Sequence, residues 1–126
     1  MEEIFFKNIL IGIKITTIRQ GSIPITKDHE SVQIVTLSHP KGTYLKAHMH
    51  KPTERRTNKL QECLIVKKGR IKIDLYSPDN ELFKDIELDE GEVFLLTNGG
   101  YGIHLLEDSE LIEMKNGPFI EDKVLI

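Results

Sequence analysis

The chain has 126 residues, of which 39% are hydrophobic and 29% charged, and its formal net charge is −3. These values predict one soluble domain spanning residues 1–126. The basic clusters are short and flanked by acids, which argues against nucleic acid as a partner, because phosphate binding needs a surplus of Lys and Arg. No apolar run approaches the roughly 20 residues of a membrane helix, and Met1–Ile4 lacks the positive charge of a secretory signal. We therefore expect a cytoplasmic protein with no membrane partner.

Short runs rich in β-branched and aromatic residues recur along the chain, whereas helix signals are nearly absent. In chain order, the predicted strands lie within residues 5–19, 32–37, 43–50, 62–66, 70–76, 83–88, 92–96, 103–106 and 111–115. We interpret residues 62–76 as a hairpin around the Lys68-Gly69 turn. The single cysteine, Cys63, lies in an apolar run and is expected to pack as a small hydrophobic residue. So many short strands predict an all-β sandwich or barrel.

His48 and His50 are the most informative pair of residues in the sequence. Successive side chains of a strand face opposite ways, so two residues two apart share one face. Two imidazoles on one face can bind the same metal ion. The alternative is a pair of surface histidines near the end of a strand.

The residues around this pair follow a known order. Gly42, His48, His50, Glu62 and Gly69 stand in the order of the first conserved motif of the cupin superfamily, which the chain resembles. The resemblance implies an all-β, cupin-type jelly-roll β-barrel with the site inside its mouth. The chain departs from the family pattern in the gap between His50 and Glu62. This gap is eleven residues long, whereas most cupins have three or four residues there.

The second cupin motif is degenerate in this chain. Gly91, an apolar run and a glycine-rich turn precede His104, but Gly102 stands where the motif has its His. An extended turn at residues 99–100 would restore His104 to the site, and Tyr101 is the other candidate for the same place. Tyr101 could act there as a general acid or hydrogen-bond donor, or it could pack with its hydroxyl at the rim.

In metal-binding cupins, four residues of the two motifs bind one divalent ion. By position, the resemblance implies the ligands His48, His50, Glu62 and His104. Three imidazoles and a carboxylate suit iron, manganese, nickel, copper or zinc, and the sequence does not choose among them. A site with three ligands, or one without metal, remains open.

The eleven-residue gap, residues 51–61, carries Arg55 and Arg56 near the mouth of the expected barrel. An Arg fork there could bind a carboxylate or phosphate of a substrate. The alternative is a solvated loop whose charges pair with Glu54 and neighbouring acids.

Residues 61–69, 95–102 and 111–119 are similar to a group of small bacterial and archaeal cupins of unassigned function. Proteins of this kind resemble those encoded with surface-polysaccharide and nucleotide-sugar enzymes. This implies a small polar substrate, with isomerisation, epimerisation or oxygenation as the reaction and Glu62 or a free His as the proton carrier. The alternative is a non-catalytic sugar-binding or sensor module.

We also expect a homodimer. Small cupins commonly pair, and the apolar residues 4–6 and 9–11 hold more hydrophobic surface than an exposed edge strand should show to water.

Overall fold

In the computed structural model, which describes residues 1–126, the chain forms ten β-strands and no helix, with 46% of residues in strands. The strands are β1 (Glu2–Phe6), β2 (Ile9–Ile15), β3 (Gly21–Pro24), β4 (Val35–Ser38), β5 (Glu62–Lys68), β6 (Arg70–Tyr76), β7 (Leu82–Asp89), β8 (Val93–Leu96), β9 (Gly100–Leu105) and β10 (Glu110–Lys115). The all-β prediction is confirmed, but the sheets do not close into a barrel. The structure contains no helix long and apolar enough to cross a membrane.

The strands form three antiparallel sheets. The largest has the order β1-β2-β8-β5-β10, the second has the order β7-β6-β9, and β3 pairs with β4. From β5 onward the chain passes repeatedly between the first two sheets: β5, β8 and β10 lie in one, and β6, β7 and β9 lie in the other. The two sheets pack face to face, since one cluster of buried side chains draws residues from both.

The core between the sheets follows from the alternation of apolar residues in the strands. In β6, Ile71, Ile73 and Leu75 are fully buried, and the residues between them face outward. Phe94 of β8 fills the space opposite and is also fully buried. A Cβ atom at Gly12 of β2 would clash with the Phe94 ring, and it would lie 2.7 Å from the carbonyl oxygen of Leu95. Glycine at this position therefore lets β2 pass close to the ring.

The opposite face of the five-stranded sheet carries a second, smaller core. Its buried members are Ile13, Ile15, Cys63 and Leu95, and Ile25, Val32 and Ile34 pack against them. As expected, Cys63 is buried as a small apolar side chain, and this burial raises the pKa of its thiol to about 11.

Gln61 fastens the covering loop of this second core. Its side chain is fully buried and accepts a hydrogen bond from the backbone N–H of Val32 at 2.9 Å. The Gln61 amide donates to a carboxylate oxygen of Glu30, and its backbone N–H donates to Oδ1 of Asn116 at 2.9 Å. The side chain of Gln61 thus binds the loop to the start of β5, and its backbone N–H joins the start of β5 to the residue after β10.

The predicted hairpin of residues 62–76 is wrong. Both strands form, but β5 pairs with β8 and β10, and β6 pairs with β7 and β9. Because both edges of β5 are already occupied, β6 has no free edge there. Gly69, with a φ of 93°, turns the chain from one sheet into the other.

The prediction of a strand over residues 43–50 is also wrong. No residue between Pro40 and Leu60 belongs to a strand. A strand needs a hydrogen-bonded neighbour, and each hydrogen bond made by residues 43–56 ends within residues 40–56. The glycine-rich residues 100–102, expected in a turn, belong to β9 instead.

Candidate functional site

A tyrosine and two glutamates meet at the solvent-accessible margin of the space between the two sheets. Tyr101 lies opposite Leu75 in the β6–β9 pair, and Leu75 is fully buried, so Tyr101 faces the inner side. On the other sheet, Glu113 lies opposite Leu64, and Glu62 is two residues from Leu64 on the same face. The Tyr101 hydroxyl lies 2.5 Å from Oε2 of Glu62 and 3.1 Å from Oε2 of Glu113. This side chain therefore joins β9 to both β5 and β10.

The surroundings hold the phenol of Tyr101 in its protonated form. Burial raises its pKa far above the usual value, and the hydrogen bond to Glu62 and the charges of Glu62 and Glu113 raise it further. A phenol carries one proton and can donate it to one acceptor at a time. Tyr101 is thus a fixed hydrogen-bond donor between two carboxylates.

A lysine completes this cluster. Lys115 lies opposite Glu62 in the β5–β10 pair, and its Nζ lies 3.3 Å from Oε1 of Glu113. The hydrogen bond to Glu113 raises the pKa of Lys115, so the ammonium stays charged beside the carboxylates. We call Glu62, Tyr101, Glu113 and Lys115 the inner polar cluster.

His104 lies on the other side of β9. Its partner in the β6–β9 pair is Lys72, whereas the preceding residue, Ile103, lies opposite the buried Ile73. Nε2 of His104 lies 2.6 Å from Oδ2 of Asp74 on this outer face. The hydrogen bond to His104 is the largest cause that lowers the pKa of Asp74. Of the two residues considered for the fourth place in the site, the structure brings Tyr101 to Glu62 and turns His104 away.

His48 and His50 lie close together in the exposed segment before β5. Their ring centres are 5.3 Å apart, and Nδ1 of His48 lies 2.9 Å from the carbonyl oxygen of Lys46. A carbonyl can only accept, so Nδ1 carries a proton, and Nε2 is the nitrogen of His48 that faces away from this hydrogen bond. Because an imidazole nitrogen lies about 2 Å from a bound ion, two rings at this separation can bind the same ion.

The remaining ligands of a metal site are not next to these histidines. No group of three or more His, Cys, Asp or Glu side chains in the chain is arranged to hold a metal ion. Protein metal sites of this type use at least three side chains. The donor set of a single chain in this structure therefore does not fit a bound metal, since it supplies His48 and His50 without Glu62.

Arg55 and Arg56 lie in the same exposed segment, and none of their hydrogen bonds reaches the inner polar cluster. Nε of Arg56 forms an ion pair with Oε1 of Glu54 at 2.8 Å, and Arg55 donates to the carbonyl oxygen of Thr53 at 3.2 Å. The pairing with Glu54 agrees with the solvated-loop alternative for Arg56. A role in substrate binding stays a prediction for both residues.

Glu113 and Lys115 are the two members of the inner polar cluster that sequence reasoning missed. A signal was present, because Leu111, Glu113 and Lys115 alternate in β10, and alternation places them on one face. Leu111 packs against the main core, which makes that face the inner one. The pairing of β10 with β5, which brings Glu113 near Glu62, is not visible in the sequence.

An apolar groove of about 500 Å³ lies on the opposite face of the five-stranded sheet, beside β4. Its lining is mostly hydrophobic and includes Ile34, Ile65 and Met114. It has few polar groups to orient a ligand, whereas binding sites for polar molecules place several. The inner polar cluster is therefore the candidate functional site.

Comparisons of the chain with family models, with curated proteins and with solved structures find no match. The resemblance to cupins therefore depends on the motif residues of the sequence, and the functional argument depends on the geometry described above.

Proposed function

We propose that the chain is a cupin-type jelly-roll domain that isomerises or epimerises a small, polar, sugar-derived substrate between its two sheets. The observation that carries the proposal is the contact of Tyr101 with Glu62, which sets a proton donor beside a carboxylate in the inner polar cluster. The strand order supports the fold assignment, because chains that pass repeatedly between two facing antiparallel sheets are typical of jelly rolls.

The chemistry requires one base and one hydrogen-bond donor. A carboxylate oxygen of Glu62 would take the proton from the carbon next to a substrate carbonyl, while the electron pair of that C–H bond moves toward the carbonyl oxygen. The Tyr101 hydroxyl would donate to that oxygen and stabilise the charge that develops on it. For the isomer, Glu62 would return the proton to the former carbonyl carbon, while the proton of the neighbouring hydroxyl moves to the former carbonyl oxygen. For the epimer, Glu62 would release its proton to water, and water would supply a proton to the opposite face of the same carbon.

We further propose that His48 and His50 are two ligands of a divalent ion, iron, manganese, nickel, copper or zinc, although the structure does not bring a third protein ligand to them. An ion held there would supply Lewis-acid chemistry, and iron would supply the chemistry that oxygenation needs. The proton transfer by Glu62 and Tyr101 does not depend on the ion. Metal analysis of protein purified without added metal or chelator tests this point, and absence of all five metals would contradict it.

The test of the reaction uses proton NMR in D2O with a panel of aldoses, ketoses and nucleotide sugars. Turnover with deuterium entering the substrate at the carbon next to the carbonyl supports the proposal. Glu62→Gln should abolish this exchange, and Tyr101→Phe should slow it by about 10²-fold or more. Glu81→Gln, which changes an exposed carboxylate in the β6–β7 turn that has no hydrogen bond to the cluster, is the matched control and should leave the rate unchanged.

The same experiment separates the enzyme from a binding module. A non-catalytic module would broaden the signals of one sugar without forming an isomer or taking up deuterium. That result would contradict the enzymatic proposal and support the sugar-binding alternative. Loss of the broadening in Glu62→Gln would then place the bound sugar at the inner polar cluster.

A further inference from the structure

The inner polar cluster carries more negative than positive charge. Nζ of Lys115 lies 3.3 Å from Oε1 of Glu113, so these two charges balance each other. Glu62 forms no ion pair, and its only side-chain hydrogen bond comes from the neutral phenol of Tyr101. The charge of Asp122 also acts on Lys115, whose pKa it helps to raise. The cluster therefore has a negative charge, on Glu62, that no cation of the chain contacts.

The carboxylates of the cluster also have unused capacity to accept hydrogen bonds. Oε2 of Glu62 accepts from Tyr101, whereas Oε1 of Glu62 forms no hydrogen bond. Oε2 of Glu113 lies 3.1 Å from the same hydroxyl, but a phenol has one proton and serves one carboxylate at a time. A ligand with several N–H donors would satisfy both carboxylates together, and a positive charge on it would balance that of Glu62.

The spacing of the two carboxylates fits one ammonium group. Oε2 of Glu62 and Oε2 of Glu113 lie 2.5 Å and 3.1 Å from the same hydroxyl oxygen. Hydrogen bonds from a charged nitrogen to a carboxylate are about 2.7–2.9 Å long, so one nitrogen placed beside the phenol can reach both oxygens. The side chains of Glu113 and Lys115 are 39% and 40% exposed, so such a group can enter from solvent.

We propose that the inner polar cluster selects substrates with an ammonium group on the carbon next to the carbonyl, as in amino sugars derived from aldoses. The selection rests on the proposed function, because it uses the same base and the same donor. An ammonium between Glu62 and Glu113 would replace the phenol as the donor to the carboxylates. The proton of Tyr101 would then be free for the carbonyl oxygen on the adjacent carbon, so one substrate would supply both groups that the site needs.

The reaction with such a substrate is epimerisation at the carbon that bears the nitrogen. The C–H bond of that carbon breaks, its proton passes to Oε1 of Glu62, and its electron pair moves toward the carbonyl oxygen, which accepts from Tyr101. Glu62 then releases the proton to water, and water supplies a proton to the opposite face of the carbon. The ammonium favours the first step, because its positive charge stabilises the electron pair that the proton leaves behind.

The same charges disfavour substrates that carry phosphate. A phosphate at the cluster would lie beside Glu62 and Glu113, and the only cation there, Lys115, is already paired. Like charges placed together oppose binding. Nucleotide sugars, one of the classes in the panel above, should therefore bind more weakly than amino sugars without phosphate.

The first test compares three sugars of similar shape. D-glucosamine carries the ammonium, N-acetyl-D-glucosamine carries the same nitrogen without a charge, and D-glucose has a hydroxyl there. Titrations of isotope-labelled wild-type protein, followed by NMR at slightly acidic pH, measure the three dissociation constants. D-glucosamine should bind at least about tenfold more tightly than either of the others. Equal affinities, or no binding of D-glucosamine, would overturn the selection.

The second test removes one carboxylate. Glu113→Gln retains the size of the side chain and should weaken the binding of D-glucosamine by about tenfold, while the affinity for D-glucose should not change. Glu110→Gln is the matched control, since it removes the same charge from an exposed residue of β10 whose carboxylate forms no hydrogen bond. An equal loss in both variants would contradict the role of Glu113. If Glu113→Gln does not fold, as its NMR spectrum would show, the three-sugar comparison in the wild type decides.

Deuterium uptake separates the selection from the proposed function. Equally fast exchange next to the carbonyl of D-glucose, N-acetyl-D-glucosamine and D-glucosamine would support the proposed function and overturn the selection of an ammonium. Binding of D-glucosamine that depends on Glu113, without any deuterium uptake, would support the selection and contradict the enzymatic proposal.

Discussion

The hydroxyl oxygen of Tyr101 lies 2.5 Å from Oε2 of Glu62, and this contact joins the three-stranded sheet to the five-stranded sheet. The two residues are 39 positions apart in the sequence. The inner neighbour of Glu62 on β5, Leu64, is buried, whereas the inner neighbour of Tyr101 on β9, Ile103, is 37% exposed, so the contact forms at the margin of the core. It links the stability of the fold to the chemistry proposed for the site.

Tyr101→Phe should destabilise the protein by about 1.5–3 kcal/mol, the usual range for a hydrogen bond to a charged group. Removal of the hydroxyl leaves Glu62 and Glu113 without their shared donor. Urea unfolding monitored by circular dichroism measures the change. Tyr76→Phe is the control, because no hydrogen bond involves its hydroxyl in the structure, and an equal loss in both variants would contradict the role of the contact.

The proton of Tyr101 should survive strongly alkaline conditions. Because its pKa is raised in the folded protein, its contribution to stability is complete below about pH 10, the value for an unfolded tyrosine, and is lost as the pH rises. In native protein at pH 11, wild type and Tyr101→Phe should show the same tyrosinate absorbance near 295 nm. In urea at that pH, the wild type should show one additional tyrosinate, and a difference in the native state would contradict the prediction.

The hydrogen bond between Asp74 and His104 on the outer face should make the free energy of unfolding fall as the solution becomes acidic. The pKa of Asp74 is lowered in the folded state, so its contribution is present above about pH 4, the value for an unfolded Asp, and is lost as the pH falls further. Asp74→Asn should therefore be less stable than the wild type at neutral pH, and the difference should vanish in acid. Thermal unfolding between pH 7 and pH 2 measures it, and a constant difference would refute the assignment.

His104→Gln should leave the metal content and the isomerisation rate within about twofold of the wild type. The side chain faces the outer surface beside Asp74 and Lys72, away from Glu62 and Tyr101. Metal analysis and deuterium exchange check this, with Tyr101→Phe as the positive control for a loss of rate. A fall in metal content like that of His50→Ala would show that His104 is a ligand.

Gln61→Ala should cost about 1–3 kcal/mol, since it leaves the N–H of Val32 and the carboxylate of Glu30 without their buried partner. The loss should appear first in the loop over the second core, where amide hydrogen exchange of residues 25–34 should accelerate. Gln33→Ala is the matched control, because the Gln33 side chain is exposed and donates only within the same loop. Unchanged exchange in Gln61→Ala would contradict the fastening role.

The sequence alone was sufficient to predict the class of fold and the position of most strands. Apolar residues alternate with polar ones over residues 70–76, and this pattern decides both the strand and its buried face, because a strand turns successive side chains to opposite sides. The same local rule explains why Cys63 is buried beside the half-exposed Glu62. Signals of this kind act over a few residues and need no knowledge of the neighbouring strand.

The pairing of strands was decided by tertiary structure. Residues 62–66 and 70–76 have the local signature of a hairpin, but β8 and β10 occupy both edges of β5 and send β6 to the other sheet. Residues 43–50 have the alternation of a strand and no neighbour in their own chain. Hydrogen bonding between strands is a non-local interaction, so a strand-forming pattern is satisfied only where an edge is free.

For the site as well, local sequence patterns predict some features, and the pairing of strands decides the others. The alternation rule could place Glu113 on the face of Leu111, and it could place Tyr101 and His104 on opposite faces of one strand. Which of these faces points inward depends on the register of β9 against β6, where Leu75 meets Tyr101 and Lys72 meets His104. A shift of one residue in this register would turn His104 to the inner face and Tyr101 to the outer face, because neighbouring residues in a strand point to opposite sides of the sheet.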